Sequence, residues 1–503
     1  MLDQDLQRLA LLIDSASKSG DLHTLTTSLD TLGKLQAEDL DPLSLAQVHF
    51  YTANCHSAIR RISGESQSWS WQNPELEKEI YSLRCARKHI ESVEFINDRS
   101  DLRFRISTNL ANALNHVGRV VEAVSLWDEV LSEHPEYPMS VANRGYAFFW
   151  YGQYLYDPGH QGIFFNESYH EIKRALSLGV ESHAENDLRQ WLNTLLKMDD
   201  WESFDFKPQD ESRGRSETER SYRTWALENR LFLNPLNDLW CKDIAANDVL
   251  TFPSIIVDTE DLKIGNPPEV YGIFNQLKQE YVSARYMLFD AVCESSNGVH
   301  FSDKRVKLYD LMDYRCYRLW IEKTKMAFLS AHAIFDKIAY LVNEYWQLAL
   351  GAREISLKRC WFAKGKRSEL APPFESSRNW ALRGLFWLSK DLAGERGSSQ
   401  PIQPDAWHIS EIRNHIAHKY LKVFDHMLVD TEGWRQTAGH EYEYPISDQE
   451  LIYRTRSLLE LVRAALIYVT LAASHEERIK KETIGSKLLA EMGLMEIGDK
   501  DRL

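Results

Sequence analysis

The sequence predicts an all-α chain, a run of short helical hairpins followed by a bundle of long amphipathic helices, and three observations predict it. Aromatic residues are abundant, with 15 Trp, 22 Tyr and 20 Phe against 15 Pro and 23 Gly, a balance that favours packed helices over sandwiches or disorder. Small residues, a turn glycine and a stop proline recur at hairpin spacing between Arg105 and Pro135. From about residue 267 onward, apolar residues return every three or four positions over long stretches.

At 503 residues the chain is long enough for two to four domains, each with its own core. Cys55, Cys85, Cys241, Cys293, Cys316 and Cys360 form no C-x-x-C pair, so neither a disulfide framework nor a zinc knuckle is indicated, and a reducing cytoplasm fits. The start, MLDQDLQRLA, is acidic and amphipathic where a secretory leader would be basic and then apolar. The most membrane-like run, Leu458 to Ala473, carries Glu460 and Arg463 and reads as a buried bundle helix, so no membrane association is expected. Net charge is −15, of which −11 lies in residues 1–200, −5 in 201–265 and +1 beyond. The acidic front suits a protein partner, while the near-neutral back tolerates a polyanion.

Residues 1–198 read as successive hairpins. Asp5 to Leu35, turning at Ser19 to Asp21, and Leu45 to Val93 are two irregular ones. In the clearest, Ala111 and Ala123 are small where two helices cross, Gly118 lies in the turn, and Pro135 stops the second helix. With Leu110, Trp127 and Leu131 these positions resemble a tetratricopeptide (TPR) repeat. The next unit keeps Gly145 and Gly152 in register, and YDPGHQGIFFNES reads as an insertion that delays its second helix to about Tyr169 to Leu178. Stacked repeats expose a groove, so a protein or peptide partner is expected at this TPR-like solenoid; the alternative is that the hairpins only scaffold the back half.

Residues 199–264 form a connecting segment. Its first part is polar and turn-rich, and its second, Tyr222 to Leu239, contains LFLNPLND, where Asn234-Pro235 breaks the helix and Asn237 and Asp238 are able to cap the next segment. A buried strap fixing two domains together is the favoured role for that stretch. Residues 265–503 then supply the bundle helices: Pro268 to Cys293, Lys307 to Leu350, about Ser377 to Ala393, a helix from Ala406, and Asp448 to Glu482.

The helix from Ala406, with Asp405 as its expected N-cap, carries IRNHIAHKYLK. Ile409, Ile412, Ile416, Tyr420, Val423 and Met427 would share one side, and Glu411, Asn414, His415, His418 and Lys422 the other. Two histidines beside Asn414 form a candidate acid/base edge. Arg413 falls about 140° from His418, on the margin of the apolar side, where a guanidinium needs a partner. His332, Asp336 and Asn343 draw a polar line through an otherwise apolar helix, and Asp336 is the expected partner of Arg413.

Arg413 followed five residues later by His418 resembles the R-x4-6-H signature of the HEPN superfamily, and LFLNPLND resembles a stretch found in large HEPN proteins. The resemblance implies a helical bundle that cleaves RNA without a metal, with two motif helices facing each other across a homodimer or higher homo-oligomer. Such cleavage needs a base for the 2′-hydroxyl, an acid for the leaving 5′-oxygen, and positive charge for the transition state. Histidine serves as either base or acid, and arginine grips phosphate oxygens in a fork, so no cofactor is called for. On this reading Arg413, His418, Asn414 and His415 are catalytic, and Asp336, Glu411 and His332 support them.

A second basic stretch, Arg353 to Arg367, interleaves cations with Trp361 and Phe362, a composition able to hold a single strand. Lys358, Arg359, Trp361, Lys364, Lys366 and Arg367, with Lys422, are the expected RNA contacts; a solvated loop is the alternative. HEYEY, His440 to Tyr444, lacks the H-E-x-x-H spacing of a metal box. P-loop, G-x-G-x-x-G and G-x-S-x-G motifs are absent, which removes nucleotide hydrolysis, dinucleotide chemistry and serine hydrolysis. The expected whole is an all-α protein, a TPR-like helical-hairpin solenoid followed by a HEPN-type bundle. The resemblance implies the function of a toxin or anti-phage ribonuclease, with a non-catalytic binding protein as the alternative.

Overall fold

The computed structural model describes residues 2–65, 69–93, 100–180, 182–204, 206, 213–257, 268–311, 314–366, 368–392, 402–426, 442–484 and 493–502. The front consists of α1 (Leu2–Ser19), α2 (Leu22–Leu35), α3 (Pro42–Ile62), α4 (Pro74–Glu91), α5 (Ser100–His116), α6 (Val120–Glu133), α7 (Pro138–Tyr154), α8 (Pro158–Leu178) and α9 (Ser182–Leu196). Asp41 and Asn73 accept backbone amides at the starts of α3 and α4, and each is followed by the proline that suits a first helical position. Each helix packs on its sequence neighbour, and α1 touches α3, α5 touches α7, and α7 touches α9, the contact pattern of stacked hairpins. Between α5 and α6, Gly118 takes φ +91°, a conformation open to glycine, and Ala111 and Ala123 are fully buried at the crossing.

One hairpin departs from expectation. The stretch taken for an insertion is the first half of α8, because Asp157 accepts the amide of His160 at 2.7 Å and Pro158 starts the helix. After α10 (Glu217–Glu228), residues 231–238 are all buried, and Asn234 caps a 3₁₀ turn over Pro235–Asp238. Asp238 accepts from Tyr151 of α7 at 2.8 Å and from Arg463, far along the chain, at 2.6 Å. The segment is a strap tied at both ends.

The back half contains α11 (Glu269–Ser295), α12 (Leu319–Tyr345), the single turn α13 (Pro372–Glu375), α14 (Trp380–Asp391), α15 (Ala406–His418) and α16 (Asp448–Ile484). Two helices are shorter than their periodicity predicts. α12 starts at Leu319 rather than Lys307, because residues 314–316 run alongside a strand instead. α15 ends at His418, and Tyr420–Phe424 forms β1, parallel to β2 (Glu443–Ser447) with Tyr420 opposite Glu443. Tyr, Val and Phe favour a pleated surface, and burial of Leu421, Val423 and Phe424 fixes them there. Met427, assigned to the same helix face, lies outside the described residues.

The halves share one apolar core, which runs from Ala46 in α3 through the strap to Ala473 in α16. α14 rests along the row of hairpin turns: Trp387 Nε1 donates to Trp71 O at 3.0 Å, Arg383 to His116 O at 3.3 Å, and Trp380 Nε1 to Asn115 O at 2.9 Å. The backbones of Gly118 and Gly384 touch so closely that a Cβ on Gly384 would sit 2.3 Å from Gly118 O. Among the described residues, α16 is the one helix long and apolar enough to cross a membrane, and 78% of its most apolar window is buried inside the protein.

Candidate functional site

α15 is held by contacts from three directions. Asp405, expected as its N-cap, makes no capping bond and instead pairs with Lys88 of α4 at 2.9 Å, linking the helix start to the front half. Asp405 is pushed up by burial, but Lys88 and then Arg454 outweigh that and leave its carboxyl below the usual value. His408 Nδ1 hydrogen-bonds the Tyr444 hydroxyl from β2.

His415 is not on an open edge. It is 3% exposed, its ring lies 5.5 Å from that of Tyr444, and its Nδ1–H donates to the Glu411 carbonyl at 2.7 Å. Its Nε2 has no hydrogen-bond partner among the described residues. The helical wheel placed His415 beside His418, but the arrival of β2 covers it, so the expected pair of surface histidines reduces to His418. Glu411 stays half-buried, with Oε2 3.6 Å from His415 Nδ1.

His418, the last residue of α15, is exposed. Arg413 is half-buried and donates to Asn414 Oδ1 at 3.0 Å. It faces α12, where His332 and Asp336 feel its charge together with that of Lys358. Burial pushes the His332 imidazole down to about 4, and Arg413 and Lys358 push the same way, so it is neutral at neutral pH. Asp336 is an exposed residue, yet crowding by the surrounding protein raises its carboxyl above the usual value while Arg413 and Lys358 oppose the rise. Arg413 and Asp336 thus interact through space, and among the described residues no ion pair within 4.0 Å joins them.

The expected RNA contacts divide. Lys358, Arg359, Lys364 and Lys366 are exposed, Lys366 with a 3.2 Å pair to Glu369, while Arg367 lies outside the described residues. Trp361 is fully buried, packed on Trp71, Phe374 and Phe386, with Nε1 donating to Leu357 O at 2.6 Å. It is a core residue and offers no face to a base. Lys422 pairs with Glu443 across the two strands, and its side chain is 11% exposed. Of HEYEY, Glu443 and Tyr444 belong to β2, and His440 and Glu441 lie outside the described residues.

Two groupings were not foreseen. Asp425, His426 and Asp448 bring ligand-type atoms within 4.8 Å of one another, though His426 Nδ1 and Asp448 Oδ1 already bond at 2.8 Å. No sequence spacing announces them, since 21 residues separate His426 from Asp448. An exposed ribbon of aromatic and basic residues occupies the place of the expected first turns of α12, and its alternation of apolar and charged residues, as in Arg305 to Leu308, was the available signal.

No curated protein and no solved structure matches the chain. Residues 262–476 match the family model described as LA2681-like HEPN. That match spans α11 to α15 and most of α16, with Arg413 and His418 inside it, so residues 262–476 are similar to an LA2681-like HEPN domain.

Proposed function

We propose that this protein is a metal-independent endoribonuclease, a toxin or anti-phage effector whose cleavage site is completed by two copies of the chain. The observation that carries the reading is the exposure of His418 at the end of a helix that also presents Arg413, inside a HEPN domain. Five residues at 100° each leave these side chains on different sides of one helix, so two helices meet the need of one phosphate better than one does. In that arrangement an imidazole takes the proton of the 2′-hydroxyl as its oxygen attacks phosphorus, and a second group returns a proton to the departing 5′-oxygen. Arg413 holds the phosphoryl oxygens through the transition state. The products are a 2′,3′-cyclic phosphate and a 5′-hydroxyl.

Regulation through the front half is part of the proposal. A groove of about 530 Å³ lies across α1, α3 and α5, lined by Asp14, Asn54, Arg61, Arg105 and Asn109, and suits an extended peptide. Coupling from there to α15 would pass through the shared core and the Lys88 to Asp405 pair.

The test is incubation of the full chain with RNA in EDTA beside Arg413→Ala and His418→Ala, with end-group analysis and a parallel toxicity assay in cells. Cyclic phosphate ends and toxicity, both lost in each variant, are expected. Tight RNA binding with neither cleavage nor toxicity would instead make the domain a binding module.

A further inference from the structure

We propose that the ribbon formed by Val299 to Leu311 and Tyr314 to Arg318 is the surface that holds single-stranded RNA and feeds it to His418; the choice of RNA rests on the ribonuclease reading. Its rings are unusually open: Phe301 is 77% exposed, Tyr309 92%, Tyr314 60% and Tyr317 47%. Large aromatic faces left in water along one short stretch of chain mark an interaction site, and an unpaired base is the flat partner that stacks on them without regard to sequence.

Cations alternate with these rings. Lys304, Arg305 and Lys307 are exposed, and among the described residues none of them makes an ion pair. Arg318 lines a cleft of about 300 Å³ at the ribbon's end. Of the acids nearby, Asp303 is engaged, accepting the Leu319 amide at 2.9 Å at the start of α12. Arg305 and Tyr314 hold φ of +67° and +53°, conformations that side chains of their size seldom adopt without a reason in the surrounding structure.

The ribbon leads to the motif. Cys316 N donates to Val423 O at 2.9 Å, fastening the ribbon to β1. The hydroxyls of Tyr317 and Tyr420 lie 3.2 Å apart, and the Arg315 guanidinium covers the Tyr420 ring at 5.4 Å. Tyr420 is two residues beyond His418, so a strand stacked along the ribbon ends beside the exposed imidazole. The alternative occupant, the same ribbon of a second copy, would set lysine and arginine against lysine and arginine across a two-fold axis, whereas a phosphate backbone complements them.

The experiment measures anisotropy of a fluorescein-labelled, unstructured oligouridine of about 20 nucleotides against the full chain, from about 50 to about 300 mM KCl in EDTA. It is done in the His418→Ala background so that the probe stays intact. Phe301→Ala with Tyr309→Ala is expected to weaken binding at least tenfold at every salt concentration, and Tyr309→Phe to bind like the parent. Lys304→Ala, Arg305→Ala and Lys307→Ala together should lower the slope of log affinity against log salt by about 2. Affinities within about twofold of the parent in both multiple variants, or no binding by the parent, overturn the proposal. A drop from dimer to monomer mass at unchanged affinity would hand the ribbon to a second copy. Cleavage readouts in chains with His418 intact keep the two readings apart. RNA cut equally well by the ribbon variants removes the ribbon and leaves the nuclease; ribbon-dependent binding by a chain that never cuts removes the nuclease and leaves the ribbon.

Discussion

His418 stands in water while Arg413 is half-buried against α12, and each position suits a different task. An imidazole in that position is open to a ligand; a guanidinium fixed by Asn414 and facing Asp336 offers a charge whose direction is set in advance. On the proposed ribonuclease reading, Arg413→Lys keeps the charge but loses the fork, so cleavage should fall at least tenfold, about 1.4 kcal/mol of transition-state stabilisation, with thermal stability nearly unchanged. Structural charges behave otherwise. Asp391 is buried, and burial alone would raise its carboxyl, but Arg119 and Arg84 hold it below the usual value. Asp391→Ala would remove the carboxylate that Arg84 pairs with and leave the buried Arg119 with Glu122 alone, and should cost about 3–5 kcal/mol in urea unfolding. The R-x4-H spacing is written in IRNHIAHKYLK, and the nearness of His332 and Asp336 to Arg413 was legible in the polar line they draw. The burial of His415 and Trp361 was not, because Tyr444 and Trp71, which cover them, come from 29 residues later and 290 residues earlier.

At the scale of elements, periodicity located nearly every helix but misjudged where some of them begin and end. One decisive signal is local, Asp157-Pro158 starting α8; the other is not, because the YLKVF alternation after His418 makes a strand where β2 and residues 314–316 lie on either side to pair with it. Those partners are distant in sequence, so a helical wheel carried through Tyr420 to Met427 had nothing to stop it. The hairpin between Arg105 and Pro135 was readable from its small residues, yet the close approach of Gly118 to Gly384 in α14 was not. Gly384→Ala forces backbone apart at that crossing and should destabilise by about 1–3 kcal/mol or more, read as a lower urea midpoint. Gly33→Ala is the control: in α2 its Cβ meets nothing within 4 Å, and helix propensity should stabilise the protein by about 0.5–1 kcal/mol.

For the whole molecule, composition and the two kinds of helical pattern foretold hairpins followed by a bundle, but not that both would close over one core. Hairpin turns and α14 bury each other within the largest apolar cluster, beside two smaller clusters confined to the front hairpins, and thermal unfolding should give a single transition by calorimetry, fluorescence and far-UV CD. Acid should test the same unity. His49 in α3, His116 in α5, His332 in α12 and His475 in α16 are each held near 4, mainly by burial. Their folded values lie below the unfolded value near 6.5, so the unfolded chain binds the extra protons. The stability these groups permit is complete above pH 6.5 and is lost as pH falls toward 4. All four are partly exposed, so solvent screening limits the loss to about 1 kcal/mol each between pH 7 and pH 5, a few kcal/mol together. Because two sit in the front hairpins and two in the bundle, the urea midpoint should drop over that range with fluorescence and CD still coincident. A midpoint indifferent to pH, or a front half that melts before the back, would show that the halves do not stand or fall together.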